Sequence, residues 1–340
     1  MNQVETVSME SSRSETSEDR ALVRSAGLDL QAARAVVVVP TFRRPAMLAD
    51  TLASLAGQRD APPFAVVVVE NDAAGREGLV VAAQWLARGT LSGLAFVESA
   101  QGNVHAINAG FAMALASFPA AEHILMIDDD EVASPEWLAR MVEAAEREDA
   151  DVVGGPVVPC FRDETPASLA RHPVFWPSHV RTGPVPMIYG TGNCLMRRRV
   201  FDRLGHRPLD PRFNFLGGGD MDFFTRCRLA GLRSWWVQEA LITETVPAER
   251  ARVGWVLRRG LRIGSINRAV DLKHATGAAG GARIVAKDVA IVPLALLRAA
   301  VALVRTRNPV VAAHPLAVSA GRLAAWAGVE QQPYRAGNVS

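Results

Sequence analysis

Ile124-Leu125-Met126-Ile127-Asp128-Asp129-Asp130-Glu131 is the stretch on which the reading of the fold turns. Four consecutive apolar residues predict a strand buried on both faces, and the acids after them mark its carboxyl end. Adjacent carboxylates at the edge of a core repel one another unless a cation is near. Asp128 and Asp130 alternate onto one face of an extended backbone, so both can turn toward a hard divalent ion, Mg2+ or Mn2+. The competing interpretation is a solvated acidic turn before a helix capped by Ser134.

The flanking sequence repeats the pattern. Apolar runs at residues 36–39, 64–69 and 94–97 predict three more strands. Helical stretches over about 45–57, 76–88, 104–116 and 135–147 alternate with them. Strands alternating with helices predict βαβ units and a mostly parallel sheet, whose ligands sit at the carboxyl ends of the strands. The polar residues Thr41, Glu70 and Asp128 to Asp130 all fall at such ends, so three loops are expected to build one site.

Past residue 151 the pattern is less regular, until Phe215-Leu216-Gly217-Gly218-Gly219-Asp220-Met221-Asp222 leads into a helix expected over about 220–229. The glycines remove side chains where a ligand could approach the backbone. Asp220 reads either as a helix cap or as a general base for an acceptor hydroxyl. Asp222 and Arg226 are spaced i,i+4, as in an ordinary helical ion pair.

Residues 250–268 hold six arginines and no acid, whereas the whole chain of 340 residues carries a formal net charge of only +2. That balance gives no reason to expect a nucleic-acid partner. Residues 289–304 are apolar but contain Pro293 and Arg298 and are short for a spanning helix of about 20 residues. They are expected to lie on a membrane surface or pack in the core. Cys160, Cys194 and Cys227 are too few and too scattered for a disulfide framework, which fits a reducing compartment. The first 20 residues are polar and acid-containing, unlike a signal peptide.

Read in order, the segments PTFRRP, VVEND, MIDDDE, GGPVVP, GTGNCLMRR, GGGDMDFFTR and ETVPAERARVGWVLRRGLRIG resemble family 2 glycosyltransferases of the GT-A fold, and within them the succinoglycan glucosyltransferase branch. The resemblance implies an inverting transfer of a hexose from a nucleotide-diphosphate sugar, with UDP as the commonest carrier, onto a saccharide or lipid-linked saccharide. It implies that Pro40, Thr41, Arg43 and Glu70 border the nucleotide, and that Asp128, Asp129, Gly192 and Asn193 line the donor. Thr191 is implied beside them. Asp128 and Asp130 match the metal motif, Asp220 matches the catalytic base, and Arg258, Arg259, Arg262 and Asp222 are placed toward a diphosphate or acceptor. For the arginines, a solvated helix face remains the other reading.

Three positions depart from the family pattern. Gly219 stands where a glutamate precedes the base, Ile107 stands in place of an arginine, and Glu244 stands near a metal-binding histidine. Glu244 is therefore a possible further metal ligand, and the third ligand stays open. The implied organisation is a disordered tail over 1–33 and a catalytic domain over 34–248, with a nucleotide-binding half to 150 and an acceptor half from 151. A basic and apolar helical region over 249–340 would hold the protein peripherally on the cytoplasmic face of the cell membrane. A nucleotidyltransferase would want a glycine-rich loop where PTFRRP stands. A donor-binding scaffold without turnover would have no need of Asp130 and Asp220.

Overall fold

Residues 36–39 lie at the centre of a nine-stranded sheet in the computed structural model, which describes residues 22–161 and 164–327. In chain order the first half runs β1 (Leu22–Arg24), β2 (Ala35–Thr41), α1 (Pro45–Ala56), β3 (Phe64–Glu70), α2 (Glu77–Ala87), β4 (Gly93–Val97), α3 (Asn103–Ser117), β5 (His123–Met126), β6 (Glu131–Ala133) and α4 (Trp137–Arg147). The second half adds β7 (Val152–Gly154), β8 (Val157–Phe161), α5 (Ala167–Ala170), β9 (Gly183–Val185), β10 (Cys194–Arg197), α6 (Arg198–Leu204), α7 (Gly219–Leu229), β11 (Ser234–Trp236) and β12 (Ile242–Val246). Three helices follow: α8 (Val253–His274), α9 (Gly277–Thr306) and α10 (Pro309–Trp326).

The large sheet is ordered β1-β4-β3-β2-β5-β10-β7-β11-β9, with β4, β3, β2 and β5 forming a parallel block. The middles of its central strands, residues 36–39, 65–69 and 124–126, are apolar without a break because helices cover both faces. Val36 and Val38 face one core with Ala106, Ile107 and Phe111 of α3. Val37 and Val39 face the other with Leu48 and Leu52 of α1 and Leu138 of α4. Pro40 is tolerated inside β2 because the β5 side of the ladder has already ended, with Ile127 N–H donating to the Val38 carbonyl at 3.2 Å.

The N-terminal boundary differs from expectation. Leu22–Arg24 pairs antiparallel with β4, and Ala33 is buried, so the part of the expected tail from residue 22 onward is structured. An edge strand of 3 residues is too short to carry a periodic signal. Residues 1–21 lie outside the described residues.

The C-terminal region is also more integrated than a separate extension. Helix α8 crosses α10 so closely that a Cβ at Gly264 would sit 2.0 Å from the Val318 carbonyl oxygen, and one at Gly321 only 1.8 Å from that of Leu261. Asp288 of α9 accepts from Arg268 Nε at 3.1 Å and pairs with the buried Arg322 of α10. Phe175 stacks on Trp255 at 5.6 Å, and Asn308 donates to the Ser168 carbonyl at 2.7 Å, which docks α8 and α10 on the segment around α5.

Helix α9 begins at Gly277 and spans about 45 Å at 1.5 Å per residue, much longer than its apolar stretch. By length and composition it could cross a membrane, and almost none of its apolar surface is buried.

The same docking sets the buried imidazole of His172 against the half-buried one of His314, with ring centroids 5.0 Å apart. Burial and then His314 push His172 down to about 4. A histidine depressed in the folded state contributes stability above its unfolded value near 6.5, and that stability is lost as pH falls toward 4. The loss is on the order of 3 kcal/mol. Thermal unfolding from pH 7 to 4 checks this: the gap between wild type and His172→Gln should narrow on acidification, and parallel curves would contradict it.

Candidate active site

The turn after β5 divides its acids between two directions. Asp129 is buried, and its Oδ2 accepts from the Thr41 hydroxyl at 2.8 Å and the Phe42 N–H at 3.3 Å. Asp128 and Asp130 are only half-buried and flank it. The Thr51 hydroxyl of α1 braces the turn against the carbonyls of Asp129 (3.1 Å) and Glu131 (2.7 Å). Asp129 and Thr41 are therefore internal props rather than donor contacts, and Pro40 is buried in β2.

A second small sheet, β6-β12-β8, enlarges the acidic cluster. Its register sets Glu244 opposite Glu131. Glu131 Oε2 accepts the Asp128 N–H at 2.8 Å. Burial, followed by the charges of Asp130, Asp129 and Glu244, pushes the Asp128 carboxyl well above the usual range. Glu131 is raised likewise by burial and then Asp128. Gly192 lies directly over this pair, since a Cβ there would be 2.6 Å from Glu131 Oε1 and 3.0 Å from Asp128 Oδ2. Asp128, Asp130, Glu131 and Glu244 are all hard oxygen donors whose mutual repulsion is only partly relieved, by Arg44 on Asp130 and Arg250 on Glu244, which fits Mg2+ or Mn2+. Among the described residues, no three acid, histidine or cysteine side chains already close on one point as a finished metal cage.

Asp220 enters from the first turn of α7. Burial raises its carboxyl, while the Met221 N–H, Arg259 and Arg262 oppose that shift. Glu244 is raised by burial and Asp130 and opposed by Arg250 and Arg259. Arg259 of α8 is thus within electrostatic reach of both Asp220 and Glu244, as Cys194 is of Asp128, Glu131 and Asp220. The charge of Arg262 also reaches Asp220, whereas Arg258 is exposed.

This architecture has known counterparts. The family model for glycosyl transferase family 2 matches residues 36–205. The succinoglycan biosynthesis protein ExoM of Rhizobium meliloti (strain 1021) is 31% identical over 248 residues, 70% of this chain and 75% of that protein. The chain belongs to glycosyltransferase family 2.

The O-antigen biosynthesis protein RfbC of Myxococcus xanthus is 29% identical over 219 residues, covering 58% of this chain but 16% of that much longer protein. In fold the glycosyltransferase is similar to the mannosyltransferase PcManGT from Pyrobaculum calidifontis, solved with GDP-Man and Mn2+. The TM-score is 0.53 at 20% identity over 92% of this chain and 81% of that one. It is also similar to S. aureus TarS 1–349 solved with UDP-GlcNAc, with a TM-score of 0.50 at 17% identity over 75% of this chain and 71% of that one.

Several expected site residues of this glycosyltransferase have structural partners instead. Glu70 is 1% exposed, and its carboxylate accepts from the N–H groups of Asp72 (2.8 Å), Gly78 (2.7 Å) and Leu79 (3.3 Å), capping α2. Asp72, ion-paired with Arg43 at 2.7 Å, stands nearer the rim. Asn193 is buried and fully engaged: it accepts from Trp137 Nε1 and donates to the carbonyls of Pro156 and Ala240. Asp222 is 0% exposed and meets Arg226 Nε (3.0 Å), Lys273 Nζ (2.7 Å) and His274 Nε2 (2.9 Å), so it ties α7 to the end of α8 rather than facing an acceptor.

The glycine run serves packing. Gly217 and Gly218 have φ of 82° and 89°, and a Cβ at Gly218 would lie 2.3 Å from Ile266 Cγ2. Ile107 is buried in the core of α3, so nothing there reaches a phosphate. Sequence reasoning missed Glu131, which MIDDDE could have signalled. It also missed Arg44, whose Nη1 lies 3.1 Å from Asp129 Oδ1 and 2.7 Å from Asp130 Oδ2.

Proposed function

We propose that the enzyme transfers a hexose, with inversion, from a UDP-sugar to a saccharide or lipid-linked saccharide acceptor in surface-polysaccharide assembly. The observation that carries this reading is the carboxylate cluster at the end of β5, where Glu131 accepts the Asp128 N–H at 2.8 Å, Glu244 lies opposite Glu131, and Gly192 leaves the space above them open. The names of the succinoglycan and O-antigen relatives support the pathway. The nucleotide-sugars and Mn2+ bound to PcManGT and TarS support the donor class and a divalent ion.

Asp128 and Asp130 would hold that ion, with Glu131 and Glu244 behind them. Bound there, it supplies positive charge that stabilises the departing diphosphate. Arg43 lies on the nucleotide side, and Gly192 keeps the space above the carboxylates clear of any side chain. Asp220 accepts the acceptor hydroxyl's proton as that oxygen attacks the anomeric carbon, and its raised carboxyl makes it a stronger base. One carboxylate base and one in-line displacement give inversion. An α-linked UDP-hexose should yield a β-linked product, read from the anomeric proton by NMR, and an α-linked product would overturn the assignment.

We further propose that the exposed apolar face of α9 and the basic start of α8 hold the protein peripherally on the cytoplasmic face of the membrane. Val289, Leu296, Leu297 and Val304 are each more than half exposed on α9. Arg252 and Arg258 are exposed on the basic segment, and each basic residue near an anionic surface contributes about 1 kcal/mol, falling with salt. Co-sedimentation with phosphatidylserine vesicles should be strong at low salt and weaker at high salt. Protein left entirely in the supernatant at low salt would contradict this.

A further inference from the structure

Arg44 has no part in the reaction as proposed, yet it sits against the carboxylate that the reaction depends on. Its Nη1 is 2.7 Å from Asp130 Oδ2 and 3.1 Å from Asp129 Oδ1. Asp129 does not depend on this contact, because Thr41 and Phe42 already donate to it. Asp130 does: among the described residues, Arg44 is its ion-pair partner. The Arg44 side chain is also 41% exposed, so solvent lies open to it on the side away from Asp130.

Two cations cannot crowd one carboxylate without repelling each other. A guanidinium that leaves a carboxylate is equally suited to a phosphate, whose oxygens match its donors. We infer that Arg44 is a built-in counter-ion that holds Asp130 before substrate arrives, competes with the divalent ion for it, and passes to the donor's diphosphate as metal and nucleotide-sugar load together. Arg44 is thus a positioning residue that couples the two ligands, and the inference rests on the metal-dependent transfer proposed above. Linkage requires the coupling to be mutual: the nucleotide raises metal affinity by the factor by which metal raises nucleotide affinity.

The test is titration of the full chain with Mn2+, with free Mn2+ followed by electron paramagnetic resonance, with and without UDP or GDP. In wild type, nucleotide should tighten Mn2+ binding by at least about tenfold. In Arg44→Gln, Mn2+ alone should bind about tenfold more tightly, and the tightening by nucleotide should shrink by a similar factor. Circular dichroism verifies folding, and Arg44→Ala supplies the same measurement if the glutamine variant is unfolded. A variant that binds Mn2+ more tightly but keeps the wild-type coupling shows a mere through-space charge effect and overturns the inference. Wild-type protein that binds no Mn2+ even with UDP or GDP overturns the metal reading itself, and the inference with it.

Discussion

Asp130→Ala is expected to lower the transfer rate by at least about 10³-fold while the protein stays folded, and EDTA should impose the same loss on wild type until Mn2+ or Mg2+ is restored. The size follows from the charge involved. A divalent ion on a departing diphosphate contributes several kcal/mol to the transition state, and each 1.36 kcal/mol is tenfold in rate. Stability should survive because the Asp130 side chain braces no strand and its loss removes a like charge from Asp128 and Glu244, unlike Asp129, which holds Thr41 and Phe42. Initial rates with a nucleotide-sugar, alongside circular dichroism, make the measurement. A folded Asp130→Ala variant within tenfold of wild type would remove Asp130 from the metal site.

Asp220→Asn is expected to lower kcat by about 10²–10⁴-fold with donor binding largely spared, the usual cost of losing a general base. The isosteric amide keeps the oxygen that accepts the Met221 N–H at 2.8 Å, so the first turn of α7 should not move. Asp222→Asn makes the contrast. It leaves Arg226, Lys273 and His274 gathered around a neutral amide, which should cost stability on the order of 2–3 kcal/mol. Its effect on kcat per folded molecule should be much smaller. Near-normal turnover by Asp220→Asn would send the search for the base elsewhere in the cleft.

The sequence was most readable where burial is two-sided. Residues 36–39 and 64–69 had to be central strands, because nothing but a sheet covered on both faces accepts unbroken valine runs. It was least readable where a side chain's role depends on a distant backbone. Glu70 lies at a strand's carboxyl end, as expected, but only the position of α2 decides that its carboxylate is spent on Gly78 and Leu79. Asn193 is committed by Trp137, Pro156 and Ala240, far from it in sequence. Asp222 meets Lys273 and His274 only because α8 runs on to His274, far along the chain. Glu244 could be placed near the site from the family pattern, yet its register against Glu131 belongs to a three-stranded sheet with no periodic signal of its own.

The central claim is metal-dependent transfer from a nucleotide-sugar, and background hydrolysis of a donor panel tests it without knowledge of the acceptor. Purified protein incubated with UDP-hexoses and GDP-hexoses should slowly release UDP or GDP from its own donor in Mn2+ or Mg2+, with none released in EDTA and none by Asp130→Ala. Equal release with and without EDTA, or release of pyrophosphate from a nucleoside triphosphate instead, would contradict it.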